Sequence, residues 1–188
     1  MVDLRDRIAF AAGYVPGAFS FPLDNSFATY LGWMIPWGTP LTLLGDSPEQ
    51  VAQAQRELAR IGIDRPAAAA TGRPETWAGE RGIASLRLVK FGDLAAALGT
   101  GNGRPVVLDV RRRLEWEASH IAGAVHIPLH ELPGRVAELP PGEVWVHCES
   151  GYRSVLGASI LAAGGRRVVS VDDDFANAEA AGLAVERA

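Results

Sequence analysis

Apolar and polar positions along the chain fall into two kinds of block. Short runs that are apolar almost throughout alternate with longer stretches of mixed character. In the second half, "SLRLV" (85–89), "PVVLDV" (105–110), "AVHIPL" (124–129), "EVWVHC" (143–148) and "RRVVSV" (166–171) read as strands. Near-continuous apolar runs of this length suit strands buried on both faces of a parallel sheet. Between them, "FGDLAAALG" (91–99), a charged stretch at 112–118, "HELPGRVAEL" (130–139) and "SVLGASILAAG" (154–164) read as helices, with Gly99 placed to stop the first. Strands alternating with helices predict an α/β fold, a mostly parallel sheet with helices on both faces.

The pattern occurs twice. "DLRDRIAFAAGYVPGAFSFPL" (3–23) aligns without a gap on "DVRRRLEWEASHIAGAVHIPL" (109–129), 106 positions later, with 8 of 21 residues identical. At an offset of 103, "LTLLGDSPEQV" (41–51) aligns on "VWVHCESGYRS" (144–154), and Leu58 and Gly62 fall on Leu161 and Gly165. The chain therefore predicts two copies of one unit, residues 1–82 and 83–188. The first copy begins almost at Asp3, so the strand and helix at 85–99 have no counterpart before it. Either this copy is trimmed at its N-terminus or the chain is a piece of a longer protein.

Composition narrows the function. The chain has 188 residues, 48% hydrophobic and 21% charged, which is ordinary for a globular protein and long enough for two small domains. No apolar run has the length of a membrane span. The start, "MVDLRDRIAF", carries charges where a signal peptide needs an apolar stretch. A net charge of −4 argues against an extended nucleic-acid footprint. Cys148 is the single cysteine, so neither an intramolecular disulfide nor a multi-thiolate zinc site is available, and a reducing, cytoplasmic setting is expected.

Cys148 ends an apolar strand and opens the loop "CESGYRS" (148–154) before a helix. In parallel sheets ligands bind beyond the carboxyl ends of strands, where helix N-termini attract anions. Ser150 and Gly151 are small enough to let successive N–H groups turn inward as an anion-binding nest. The nest, the helix dipole and Arg153 all favour thiolate over thiol. Such a thiolate can attack an electrophilic sulfur or phosphorus. The competing reading is a buried, inert structural cysteine.

The motifs "LDVR" (108–111), "SHIAGAVHIPL" (119–129), "CESGYRS" (148–154) and the tail "FANAEAAGLAVE" (175–186), in this order and spacing, resemble the rhodanese, or sulfurtransferase, domain family. The resemblance covers essentially all of the second copy and, more weakly, the first. It implies two rhodanese-like three-layer domains. It implies Cys148 as nucleophile and persulfide carrier, and Arg153 with the amides of Glu149, Ser150, Gly151 and Tyr152 as the anion cradle. Four residues separate Cys148 from Arg153. The related phosphatases of the cell-cycle type carry five, so the resemblance favours sulfur over phosphoryl transfer. This chain departs from the family at Asp173 and Asp174, where two glycines are usual, and at Ala178, where a tryptophan is usual.

Other residues carry two readings each. Asp109 and Arg111 either receive an anionic substrate or form an ion pair that fixes the strand–helix corner. Their recurrence as Asp3 and Arg5, in a copy without the cysteine, favours the second. Glu149 opposes anion binding if it points inward and is expected to face solvent. Tyr152 either edges the pocket mouth or packs. Of His120, His126, His130 and His147, His126 and His130 are four apart but fall across a strand-to-helix change, so they need not share a face, and "DDD" (172–174) lacks the alternating ligands of a calcium loop. No metal and no cofactor are expected.

In the first copy the loop reads "GDSPEQ" (45–50): Gly45 replaces the nucleophile, Gln50 the arginine, and Pro48 removes an amide donor. This copy is expected to be catalytically silent. "TYLGWMIPW" (29–37) reads as buried core, as a partner surface, or as a stretch lying against the second copy. The expected activity is transfer of sulfane sulfur from a donor such as thiosulfate to cyanide or a thiol through a Cys148 persulfide. The alternatives are a non-enzymatic sulfur relay or regulatory module and, ranked below it, a phosphatase. Expected partners are a small sulfur donor, a thiol or cyanide acceptor, a sulfur-accepting protein, and a preceding metallo-β-lactamase-like domain, since tandem rhodaneses often follow one. No nucleic acid and no membrane are expected.

Overall fold

The computed structural model describes residues 1–100 and 103–187. The chain divides into two units, Met1–Ser85 and Leu86–Ala188. Residues near position 84 go with the first unit because Tyr14 and Ala84 exchange backbone hydrogen bonds of 2.9 and 3.0 Å.

The first unit runs β1 (Val2–Asp3), α1 (Arg7–Ala12), β2 (Phe19–Ser20), α2 (Phe27–Met34), β3 (Thr42–Gly45), α3 (Pro48–Arg60), β4 (Ala68–Thr71) and α4 (Pro74–Ala78). Its sheet has the order β2-β1-β3-β4, with every pairing parallel. Helix α3 starts where Ser47 accepts the Gln50 N–H and Pro48 supplies a preset φ at the first turn. Its buried face is Val51, Ala54 and Leu58, the i, i+3, i+7 stripe of an amphipathic helix.

The second unit runs β5 (Arg87–Val89), α5 (Phe91–Gly99), β6 (Val106–Asp109), α6 (Arg113–Ala118), β7 (Ser119–Ile121), β8 (Val125–His126), α7 (Leu132–Arg135), β9 (Val144–His147), α8 (Tyr152–Ala163), β10 (Val168–Val171) and β11 (Val185–Arg187). The main sheet is parallel throughout, in the order β5-β10-β9-β6-β8. Without the edge strand β5, the order of the repeated elements is the same in both units. Each sheet is flanked by helices, which is the α/β architecture that the alternating pattern predicts.

Strand β9 lies at the centre and is buried along its whole length, as its apolar run requires. Helix α8 lies against β9 and β10 and buries eight of its 12 residues. Gly157 faces this packing: a Cβ there would just touch the side chains of Leu132, Val110 and Val146 at 3.4 Å. Val89, Phe91, Leu94, Val107, Trp145 and Val169 belong to the core below the site.

Two local expectations change. Of "AVHIPL", only Val125–His126 is strand; Pro128, without an N–H, cannot continue a ladder. "HELPGRVAEL" forms only the four-residue α7 and a 3₁₀ turn at Val136–Glu138, its helix starting late at Leu132 with Pro133 in the first turn, and weakened by Gly134. β7 and β11 form an antiparallel pair that short, far-separated segments do not announce. The aromatic stretch 29–37 divides: Leu31 and Met34 are buried, while Trp33 and Trp37 are 56% and 74% exposed.

Candidate active site

The site sits at the carboxyl end of β9. His147 is the last strand residue, and Cys148 follows it, almost wholly buried. The loop turns on Gly151, whose φ of 96° is open to glycine at little cost. That turn aims the Gly151 N–H at Cys148 Sγ, 3.3 Å away. Tyr152, Arg153 and Ser154 then form the first turn of α8. Ser154 pins the turn from below: its hydroxyl bonds the carbonyls of Gly151 (2.8 Å) and Val171 (2.9 Å) and the hydroxyl of Ser170 (2.9 Å).

Asp109 and Arg111 are buried against each other. Arg111 Nη2 and Nε lie 2.8 and 3.0 Å from Asp109 Oδ2, and Nη2 also donates to the Ser119 carbonyl at 2.7 Å. The guanidinium stacks over Phe175, with its carbon 3.6 Å from the ring centroid. Asp3 and Arg5 repeat the arrangement, with Arg5 Nη2 at 2.7 Å from both Asp3 Oδ2 and the Gly13 carbonyl. Trp77 takes the place of Phe175, its ring centroid 5.4 Å from Arg5. The pair thus builds the same corner with or without a cysteine nearby.

Arg153 has a partner that sequence reasoning missed. Its Nη1 and Nη2 reach the two carboxylate oxygens of Glu115 on α6, at 2.7 and 2.6 Å, a bidentate fork. Burial alone would raise the Glu115 carboxyl. The hydrogen bonds and charge of Arg153, helped by the Arg112 backbone and side chain, instead hold it at about 2. The signal was present in the repeat: Arg153 aligns on Gln50 and Glu115 on Ala9, so the two charges are lost together in the first copy.

Glu149 is half exposed, its Oε2 3.4 Å from Arg111 Nη1. Its carbonyl accepts the Phe175 N–H at 2.8 Å, tying the acidic turn 172–174 to the cysteine loop. Within that turn Asp173 Oδ2 accepts the Phe91 N–H at 3.1 Å and caps α5. Burial works to raise the Asp173 carboxyl, but hydrogen bonds from Asn177, Phe91 and Asp174 and the charge of Lys90 lower it on balance.

The histidines serve separate places. His120 and His126 sandwich Trp116, with centroids 3.8 and 4.6 Å away. His147 is fully buried between Phe91 and Phe175, with its Nε2 3.6 Å from Asp109 Oδ2. Desolvation pushes it down to about 4, against the charge of Asp109, so it is neutral near pH 7. Among the described residues no group of three His, Cys, Asp or Glu side chains gathers for a metal ion. None of their helices is long and apolar enough to cross a membrane.

The first unit's loop is filled. Gln50 turns back over Gly45, its Oε1 accepting the Asp46 N–H at 2.7 Å and its Nε2 donating to the Leu4 carbonyl at 3.0 Å. A Cβ on Gly45 would lie 2.8 Å from that Oε1.

A buried cysteine at a parallel strand's end, capped by a glycine-turned loop and a helix start, defines a cysteine-loop α/β domain. Residues 91–181 match the rhodanese-like domain family, and the second unit is a rhodanese-like domain. Two curated relatives match over shorter stretches. The Bacillus subtilis protein YrkF, described as a candidate sulfur carrier, is 42% identical over 67 residues, 35% of this chain and 36% of its own. The helix-turn-helix-type transcriptional regulator Rv0324 of Mycobacterium tuberculosis is 34% identical over 87 residues, 45% of this chain and 38% of its own. The chain thus spans little more than a third of the length of either relative. Among solved structures, a rhodanese-related protein from Thermoplasma volcanium aligns at 27% identity, TM-score 0.47, over 53% of this chain and 97% of that one. A thiosulfate sulfurtransferase from Pseudomonas aeruginosa aligns at 22% identity, TM-score 0.43, over 99% of this chain and 40% of that one.

Proposed function

We propose that the second unit transfers sulfane sulfur through a persulfide on Cys148. The observation that carries this reading is the Gly151 amide donating to Cys148 Sγ at 3.3 Å, in a loop where the transferred sulfur would meet further helix-start N–H groups. The Cys148 thiolate attacks the outer sulfur of a donor such as thiosulfate, the donor's S–S bond breaks, and sulfite leaves with the bonding pair. The N–H groups of 149–153 cradle the outer sulfur of the persulfide until cyanide or a thiolate takes it. Arg153 closes the loop and Asp109–Arg111 hold the neighbouring corner. The first unit is a silent copy, its loop occupied by Gln50.

The likeness to a candidate sulfur carrier favours a second reading of the acceptor, in which the persulfide passes to a protein thiol rather than to a small molecule. Intact mass after exposure to thiosulfate or an alkyl persulfide tests the proposal. The expected result is a gain of one sulfur, lost on adding cyanide and absent in Cys148→Ser. Equal loading of the serine variant removes Cys148 from the chemistry.

A further inference from the structure

The loop's cation is already neutralised. Arg153 spends both terminal nitrogens on Glu115, a carboxylate held ionised well below neutral pH. The neighbouring guanidinium of Arg111 faces Asp109, and also Glu149 at 3.4 Å. Arg112 lies 3.3 Å from Glu115 but is an exposed side chain, screened by solvent. The turn bonded to the cysteine loop adds Asp172, Asp173 and Asp174, with Lys90 bonded to the Asp172 carbonyl. The carboxylates gathered at this end of the sheet therefore outnumber the cations, and Glu115 is the carboxylate that cancels Arg153.

We propose that Glu115 sets donor specificity: by neutralising Arg153 it leaves the cradle to backbone amides alone, so the site discriminates against the thiosulfate dianion and favours a persulfide donor. A persulfide R–S–SH carries at most one negative charge at its sulfur end, so neutral amide dipoles suffice to receive it. In that step the Cys148 thiolate attacks the outer sulfur and the S–S bond of the donor breaks. R–S⁻ leaves with the bonding pair, and the proton stays on the transferred sulfur. The inference rests on the sulfur-transfer reading above. It makes Glu115 a positioning residue that acts through Arg153.

The test is single-turnover sulfur loading of the full chain, followed by intact mass, with thiosulfate and with an uncharged alkyl group's persulfide. Glu115→Gln keeps the shape and hydrogen-bonding oxygen but frees one positive charge. Its thiosulfate-to-persulfide loading ratio is expected to rise about ten-fold, as one uncompensated charge near a dianion would give. A ratio within two-fold of wild type, or an equal fall with both donors, overturns the proposal and makes Glu115 a structural partner only. Should Glu115→Gln fail to fold, the wild type decides through ionic strength. Thiosulfate loading should hold or rise as salt increases, and a fall greater than two-fold would reveal a net cationic cradle and overturn the proposal. Absence of loading by either donor removes the sulfur-transfer reading itself, and the proposal with it.

Discussion

At the end of β3, Gln50 turns back over Gly45 and takes the Asp46 N–H; at the end of β9, the Gly151 N–H points at the sulfur of Cys148. The two loops leave equivalent strands of two sheets with the same order, and the corner beside each is built alike, Asp3–Arg5 in one and Asp109–Arg111 in the other. Even the ring stack recurs, Phe10 on Tyr14 at 4.4 Å and Trp116 on His120 at 3.8 Å. The comparison separates scaffold from chemistry. What persists without a cysteine is architecture: a buried ion pair, an aromatic stack, a strand order. What changes between the loops is Cys148, the Gly151 N–H and the Arg153–Glu115 pair, replaced by Gly45, Pro48, Gln50 and Ala9.

The largest expected effect follows from that separation. In the full chain, Cys148→Ala should abolish sulfur transfer to background with either donor. The first loop has Gly45 in place of the cysteine, with Gln50 turned back over it. Donor-dependent transfer that survives the substitution would place a second site in the chain and break the comparison at its strongest point.

The corner should behave oppositely, as stability rather than chemistry, and equally in both units. Asp109→Ala leaves Arg111 buried without its carboxylate, and Asp3→Ala does the same to Arg5. Breaking a buried pair by removing one partner costs about 3–5 kcal/mol. Denaturant unfolding of the two variants should show losses of that size. If Asp109→Ala instead kept full stability and lost only sulfur loading, the pair would belong to the reaction.

One buried position does differ in charge behaviour. His147, at the end of β9, aligns on Leu44, one residue before the end of β3, and both are buried. Folding holds His147 at about 4, below the ordinary histidine value of 6.5. Between those values the unfolded chain binds a proton that the folded unit refuses, so stability falls as pH drops from about 6.5 to about 4 and is fully present above that window. The loss is on the order of 3 kcal/mol. His147→Leu, which installs the first unit's residue, should flatten that slope. A slope unchanged in the variant would assign it to other groups.

These contrasts also mark how far the sequence could be read. The parallel α/β plan was legible because β6 and β9 are apolar almost without interruption, and Cys148 stood out as the sole cysteine between a strand and a helix. The Asp109–Arg111 corner was legible because it occurs twice. Glu115 was not: its partner is 38 residues away, and three residues from Arg112 it looks like an ordinary surface pair. The β7–β11 pairing was hidden for a similar reason, since two three-residue segments joined across most of a domain carry no periodicity of their own. The Gln50 plug was invisible because a glutamine in a helix's first turn is ordinary by composition. Its meaning lies in the space left by Gly45.

That plug gives the smallest expected effect. Gln50→Ala removes two hydrogen bonds, to the Asp46 N–H and the Leu4 carbonyl, in a part-buried place. The loss should be about 1–2 kcal/mol, confined to unfolding of the first unit. Sulfur loading of Cys148 should be unchanged, since nothing in its loop depends on Gln50. The sharper version places a thiol in the occupied loop: Gly45→Cys in a Cys148→Ala background. A Cβ at 45 would lie 2.8 Å from Gln50 Oε1, so the side chain must shift to admit it. Even then Pro48 offers no amide where Gly151 offers one. No gain of sulfur is expected. A loaded Gly45→Cys variant would mean that one side chain alone separates the first loop from the second in sulfur loading, and that the amide at the position of Gly151 is dispensable.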